Sequence, residues 1–303
     1  MSIKPKLTLG PVLYLWDAAE WRDFYFRIAD EAPVDVVSIG EVVCSKRQHF
    51  HARHLDEVAS RLQASGKTVR LATLALVTLE REQRSVRTLA QQSAYELEVN
   101  DLSALPALAG QGHAIGPLIN VYNGATARFL AARGATSICL PPELPLASVR
   151  AITAAAPDFD WEVFAFGRVP LAISARCAHA RVKGFTKDNC QFICAEDTDG
   201  LAVETLDRQP FLALNGVQTV SFTCQTSIAD LAALRAAGVS SFRLSPQRCD
   251  MVAVAGIYRA VLDGTLESEA GLAGLRNLYP EVPMANGFLH GLPGADLALM
   301  RSS

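Results

Sequence analysis

The sequence has no excess of charge of either sign. Its 28 Lys and Arg stand against 31 Asp and Glu, a formal net charge of -3. That balance removes the electrostatic case for a nucleic-acid partner or an anionic membrane surface. Long hydrophobic runs are also lacking. The longest, such as Leu71–Leu79, are about half of a membrane span and contain Thr73 and Thr78, so no transmembrane segment is expected. The opening MSIKPKLTLG has neither an apolar h-region nor a small-residue cleavage site, which points to a cytoplasmic chain. An even cysteine count is missing as well. Seven cysteines in a reducing compartment argue against a disulfide framework and for metal ligands or buried thiols. HExxH and GxSxG are absent, which excludes the common metalloprotease and serine-hydrolase signatures. No GxGxxG follows the first strand, so a dinucleotide-binding unit has no support.

What remains is an ordinary globular composition over 303 residues, half of them hydrophobic and 19% charged. The length suits one large α/β domain or two small ones. Short β-branched runs alternate with amphipathic segments. The predicted strands are Leu7–Leu15, Val34–Val37, Val69–Leu74, Ala94–Val99, Ile115–Asn120, Ser137–Leu140, Trp161–Phe166 and Ser241–Leu244. Helical spacing is predicted over Ala18–Ala29, Ala52–Leu62, Leu79–Gln91, Ala125–Arg133 and Leu146–Ala154. Strands that alternate with helices imply a parallel sheet with crossovers. Eight repeats over this length predict an α/β fold of the (β/α)8 TIM-like barrel type or a close variant, with a doubly wound open sheet as the rival. The chain is read as a single barrel-type domain over 1–303.

The alternation fails once, over 167–218. This stretch does not read as one crossover helix. It holds Cys177, Cys190 and Cys194, then Leu201–Gly216, which reads as two short strands with turns. It is taken as a Cys-containing insertion after strand seven, and long insertions at a barrel's functional face usually carry function.

Cys44 lies just past the second strand and Cys177 just past the seventh. In a barrel both strand ends open on the face where active sites are built. Cys190 and Cys194 follow in the next loop, so the spacing permits Cys44, Cys177, Cys190 and Cys194 to converge. Thiolates select iron–sulfur clusters, zinc or copper(I), and spacing does not separate zinc from iron. The cations Lys46, Arg47, Arg176, Arg181, Lys183 and Lys187 stand close in sequence and would offset thiolate or cluster charge. The plainer alternative is four unrelated buried thiols. Cys139, Cys224 and Cys249 fall in apolar settings and read as packing residues.

His49, His51 and His54 form a second cluster. A solvated helix start explains them better than a metal site. Glu41, Glu98, Asn100, Asn120 and Glu143 lie near strand ends, where a barrel carries its catalytic side chains.

Four segments together carry a resemblance: GEVVCSKR at 40–47, FGRVPLAISARCAHAR at 166–181, CQFIC at 190–194 and NGFLHG at 286–291. They resemble the UbiV-type, ubiquinone-biosynthesis branch of the collagenase-like peptidase family (peptidase U-32). VNDLSAL at 99–105 and AGVSSFRLSPQR at 237–248 fit as well, and motif order is kept along nearly the whole chain. The resemblance implies a 4Fe-4S cluster on Cys44, Cys177, Cys190 and Cys194. It implies a heterodimer with a UbiU-like sister subunit and work alongside a UbiT-like lipid carrier. The implied activity is that of an oxidoreductase: oxygen-independent hydroxylation of a prenylated quinone precursor, with prephenate as hydroxyl donor. Catalytic residues are not specified by it. The rival readings are a structural iron–sulfur or zinc partner subunit, and a peptidase-like or RNA-modifying relative.

Overall fold

The computed structural model describes residues 4–157 and 159–298. Seven parallel strands come first: β1 Lys6–Leu9, β2 Val36–Ile39, β3 Thr68–Ala72, β4 Glu96–Val99, β5 His113–Ile115, β6 Ala135–Leu140 and β7 Asp160–Ile173. Between them run α1 Ala18–Glu31, α2 Gln48–Ala64, α3 Glu80–Gln92, α4 Gly124–Ala131 and α5 Leu146–Ala154. After β7 come α6 Ala178–Val182, β8 Leu201–Glu204, β9 Pro210–Asn215, β10 Gln218–Thr226 and α7 Leu231–Ala236. The chain ends with β11 Ser241–Leu244, α8 Met251–Leu262, α9 Ser268–Leu278 and β12 Met284–Ala285.

Strand β11 closes the barrel. It pairs in parallel with β1, Lys6 opposite Ser241, and with β7, Ser241 opposite Glu162. With β1 to β7 it makes an eight-stranded parallel barrel wrapped by helices, a TIM-like fold, as the alternation predicted. The helices present one apolar stripe each. On α1 the buried residues are Trp21, Tyr25, Ile28 and Ala29, and Asp17 caps it by accepting from the Ala19 and Glu20 amides. The last two long helices, α8 and α9, were not read from the sequence. Buried Met251, Val254, Ala255, Tyr258 and Leu262 give α8 the same stripe. Among the described residues no helix is long and apolar enough to cross a membrane.

Two predicted strands are shorter or shifted for one reason. Strand one was expected to run to Leu15 and stops at Leu9, where Gly10-Pro11 follows. Strand five was expected over Ile115–Asn120 and instead ends at Ile115, before Gly116-Pro117. Proline brings no N–H to a ladder and restricts its predecessor, so the apolar runs beyond it become loops over the barrel mouth.

Strand β7 is twice the ordinary length and serves two sheets. Its first half sits in the barrel beside β6 and β11. Its second half leaves the barrel and pairs antiparallel with β10, Ile173 opposite Gln218. Strands β9 and β8 add to β10 in turn. The segment 167–218 therefore holds the end of β7, α6, β8, β9 and the start of β10. This small antiparallel sheet is the frame on which the cysteine loops are mounted.

Candidate cofactor site

Cys44 sits where β2 has ended and a short 3-10 turn, Ser45–Arg47, begins. The preceding carboxylate fixes the loop: Glu41 Oε1 accepts from the Val43 and Cys44 amides at 2.8 and 2.9 Å. Ser45 Oγ donates to Glu82 Oε1 at 2.6 Å, and Glu82 also caps α3 by accepting from the Thr78 and Leu79 amides. Two carboxylates therefore hold the Cys44 turn against the barrel.

Cys177 caps α6, its Sγ accepting from the Ala180 amide at 3.4 Å. Cys190 and Cys194 flank Gln191 and Phe192, both in the left-handed region at φ 50° and 54°. Two successive non-glycine residues there cost roughly 1–2 kcal/mol each. Packing holds them: the Phe192 ring meets Phe50 edge-on at 4.9 Å and His49 at 5.4 Å. Lys46 reaches across and donates to the carbonyls of Lys187 and Asp188 at 2.7 and 3.3 Å, joining the Cys44 turn to the Cys190 loop.

The structure brings together what the sequence set apart. Cys44, Cys177, Cys190 and Cys194 line one small cavity of about 20 Å³, with Arg47, Phe192 and Val217. Convergence is at the level of a shared cavity wall. Among the described residues no three His, Cys, Asp or Glu close on a point as a single metal ion requires. Cys139 and Cys224 are buried elsewhere as packing residues, and Cys249 is partly covered.

Arg47 is the charge at the centre of this site. It is 1% exposed. Its Nη1 donates to the Leu13 carbonyl at 3.2 Å and its Nη2 to Asn215 Oδ1 at 2.7 Å, while Nε has no partner. Both acceptors are neutral. A buried cation with no carboxylate hydrogen-bonded to it is costly, and the groups whose charge favours it from farther off or through sulfur are Glu41, Cys194 and Cys44. Burial pushes the Cys44, Cys177 and Cys194 thiols up, and Arg47 pulls each of them back down in part. Thiols held protonated in this way release protons when they take a metal.

Sequence reasoning missed Asn215 and Gly216. Asn215 Nδ2 donates to the carbonyls of Cys194 and Asp197 at 3.0 and 2.8 Å, so one amide anchors the cysteine loop and aims Arg47. Gly216 has φ 69°, and a Cβ there would lie 2.2 Å from Arg47 Nη2. The Asn-Gly pair was legible as a turn between strands, but nothing in the dipeptide names the loop it serves.

The other candidates disperse. His51 is buried in α2, stacked on Trp21 at 4.9 Å, with Nε2 donating to the Trp16 carbonyl at 3.2 Å. His54 pairs with Glu57 at the surface. Asn120 is exposed, and Glu143 accepts from the Tyr122 hydroxyl. Glu98 and Asn100 do reach the barrel mouth. There Glu98 and Glu162 both pair with Arg243, the latter at 2.7 Å, and only about 20 Å³ is open beneath Pro11, Leu13, Leu118 and Pro170.

The donor set fits an iron–sulfur cluster better than it fits no group at all. Four thiols share one cavity beside a buried cation whose two hydrogen-bond acceptors are neutral, and four thiolates holding a cluster would add negative charge there to that of Glu41.

Residues 22–298 match the family described as Peptidase family U32. Among solved structures the chain is similar to the tryptophan synthase complex of Pyrococcus furiosus, at 12% identity over 91% of this chain and 99% of that one, TM-score 0.41. It is also similar to dihydropteroate synthase from Thermus thermophilus, at 13% identity over 88% of this chain and 94% of that one, TM-score 0.43.

Proposed function

Because the chain belongs to Peptidase family U32, we propose that within this family it is an iron–sulfur subunit of an oxygen-independent hydroxylase. Its cofactor is a 4Fe-4S cluster on Cys44, Cys177, Cys190 and Cys194. Its substrate is the ring of a prenylated quinone precursor in ubiquinone biosynthesis, with prephenate as hydroxyl donor. It works as the UbiV-type partner of a UbiU-like sister subunit, with a UbiT-like lipid carrier presenting the precursor. The observation that supports this reading is the shared cavity: four thiols from three separate loops, around a buried guanidinium with only neutral acceptors.

When bound, such a cluster supplies one-electron redox chemistry. The chain's own residues have definable tasks around it. Glu41 and Asn215 hold the loops that present Cys44 and Cys194. Arg47 offsets negative charge from the buried side. Phe192 and Val217 cover the thiols with apolar surface, and low polarity around a centre tunes its potential.

The test is turnover by the reconstituted two-subunit complex under nitrogen, supplied with precursor and prephenate. Complexes carrying Cys44→Ala or Cys177→Ala in this chain are compared with complexes altered only in the sister. The proposal expects each of these variants to fold, pair and lose hydroxylation. Intact turnover without the ligands of this chain would leave it a structural partner. Peptide cleavage that follows this chain through purification would favour the peptidase-like reading instead.

A further inference from the structure

Glu41 engages one carboxylate oxygen and leaves the other free. Oε1 accepts from the Val43 and Cys44 amides. Oε2 has no donor among the described residues, and the side chain lines a separate cleft. That cleft opens between α2 and α3, on the outside of the barrel, and holds about 670 Å³. Small-molecule sites span roughly 300–1,000 Å³.

The floor is apolar. Trp21, Ile39 and Leu71 are buried there, and Leu55 of α2 and Leu89 of α3 add half-buried walls. A second acceptor comes from α2. His51 is 8% exposed, and its Nε2 is engaged by the Trp16 carbonyl. In the neutral ring that tautomer leaves Nδ1 as a lone-pair acceptor, and Nδ1 has no partner among the described residues. Burial favours the neutral ring. Asp56 stands exposed in the same wall with no cation partner among the described residues, and no lysine or arginine lines the cleft.

The site therefore offers acceptors and negative charge above a hydrocarbon floor. An anionic ligand would be repelled by Glu41. A purely apolar one would cover Glu41 Oε2 and His51 Nδ1 without giving either a donor, which is unfavourable. An ammonium brings three donors and a positive charge, and charge-assisted bonds to a carboxylate are the strong ones. We propose that this cleft binds a small primary amine, its ammonium on Glu41 and His51 and its hydrocarbon body on Trp21, Leu71 and Leu89. The site stands on the cleft alone and does not use the cluster. Glu41 links the two, since its other oxygen holds the Cys44 amide, so the occupant rests against the back of the Cys44 turn.

The experiment is a ligand-observed nuclear magnetic resonance titration of the full, iron-free chain. The probes share one frame: 2-phenylethylamine, 2-phenylethanol and 3-phenylpropanoate. The amine is expected to bind roughly tenfold more tightly than the alcohol, through its charge-assisted bond to Glu41, and the carboxylate more weakly than either. Glu41→Gln keeps an oxygen for the Val43 and Cys44 amides and removes the charge, and is expected to bring the amine down to the affinity of the alcohol. Ala52→Trp, at an exposed position of α2 in the cleft wall, is expected to weaken amine and alcohol alike by tenfold or more. Glu269→Gln, at an exposed acid on α9, is expected to change nothing. Far-ultraviolet circular dichroism checks that each variant is folded. Equal affinities for amine and alcohol in the parent chain, an amine preference that survives in folded Glu41→Gln, or full binding in Ala52→Trp would overturn the proposal. The probe series in the parent chain and the Ala52→Trp variant decide it even where Glu41→Gln does not fold.

Discussion

Asn215 accepts a hydrogen bond from Arg47 Nη2 at 2.7 Å through one end of its amide, and with the other end donates to the Cys194 carbonyl at 3.0 Å. One side chain on β9 thus couples a buried cation from the β2 loop to a cysteine from the β7–β8 connection. It makes the position of the charge and the position of the thiol a single structural fact.

Arg47→Met should separate charge from shape. The methionine fills much of the same volume, so the iron-free protein should stay folded. Cluster loading should fall several-fold, and whatever cluster forms should have a more negative midpoint potential, because a nearby cation favours the more negative, reduced state. Iron content and a redox titration followed by electron paramagnetic resonance measure both. An unchanged potential would contradict the role given to Arg47.

Gly216→Ala should displace Arg47, since the new Cβ would lie 2.2 Å from Nη2 at a φ of 69°. The expected destabilisation is about 1–2 kcal/mol from the left-handed backbone alone. Iron loading should drop more than thermal stability does. Denaturant unfolding beside iron analysis checks this, and full loading in the alanine variant would contradict it.

The barrel interior gives a prediction independent of any cofactor. Arg243 is buried between Glu98 and Glu162. Arg243→Met leaves two carboxylates buried without their cation, and should cost about 3–5 kcal/mol. Chemical denaturation is the measurement. A loss below about 1 kcal/mol would mean that the carboxylates find other partners.

His51 predicts a pH dependence. Burial, its largest influence, pulls its pKa below the ordinary value of 6.5. The unfolded chain therefore binds this proton more readily than the folded one. The stabilisation is complete above about pH 6.5 and is lost as pH falls through the depressed folded value. Thermal midpoints between about pH 7.5 and pH 5 should fall less steeply for His51→Gln than for the parent chain. Parallel curves would show that His51 does not contribute.

Much of the fold was legible because periodicity reports burial. Ser241–Leu244 and Leu146–Ala154 were read with the bounds they have. The failures came from influences that periodicity does not register. Gly10-Pro11 and Gly116-Pro117 end their strands through missing donors, and β7 continues past Phe166 because β10 arrives to pair with it. The candidate site was legible in its cysteines, since a thiol is rare and its spacing is visible. Asn215, Gly216 and the engaged state of Arg47 were not, because their roles depend on which backbone carbonyls lie opposite after folding.

Whether four thiols hold one cluster is decided by purifying the chain without oxygen and measuring iron, acid-labile sulfide and zinc. The four variants Cys44→Ala, Cys177→Ala, Cys190→Ala and Cys194→Ala are measured beside it. About four irons and four sulfides per chain are expected, the composition of a 4Fe-4S cluster, with both lost in every variant. Zinc without sulfide, or iron that survives all four substitutions, would contradict the shared cluster.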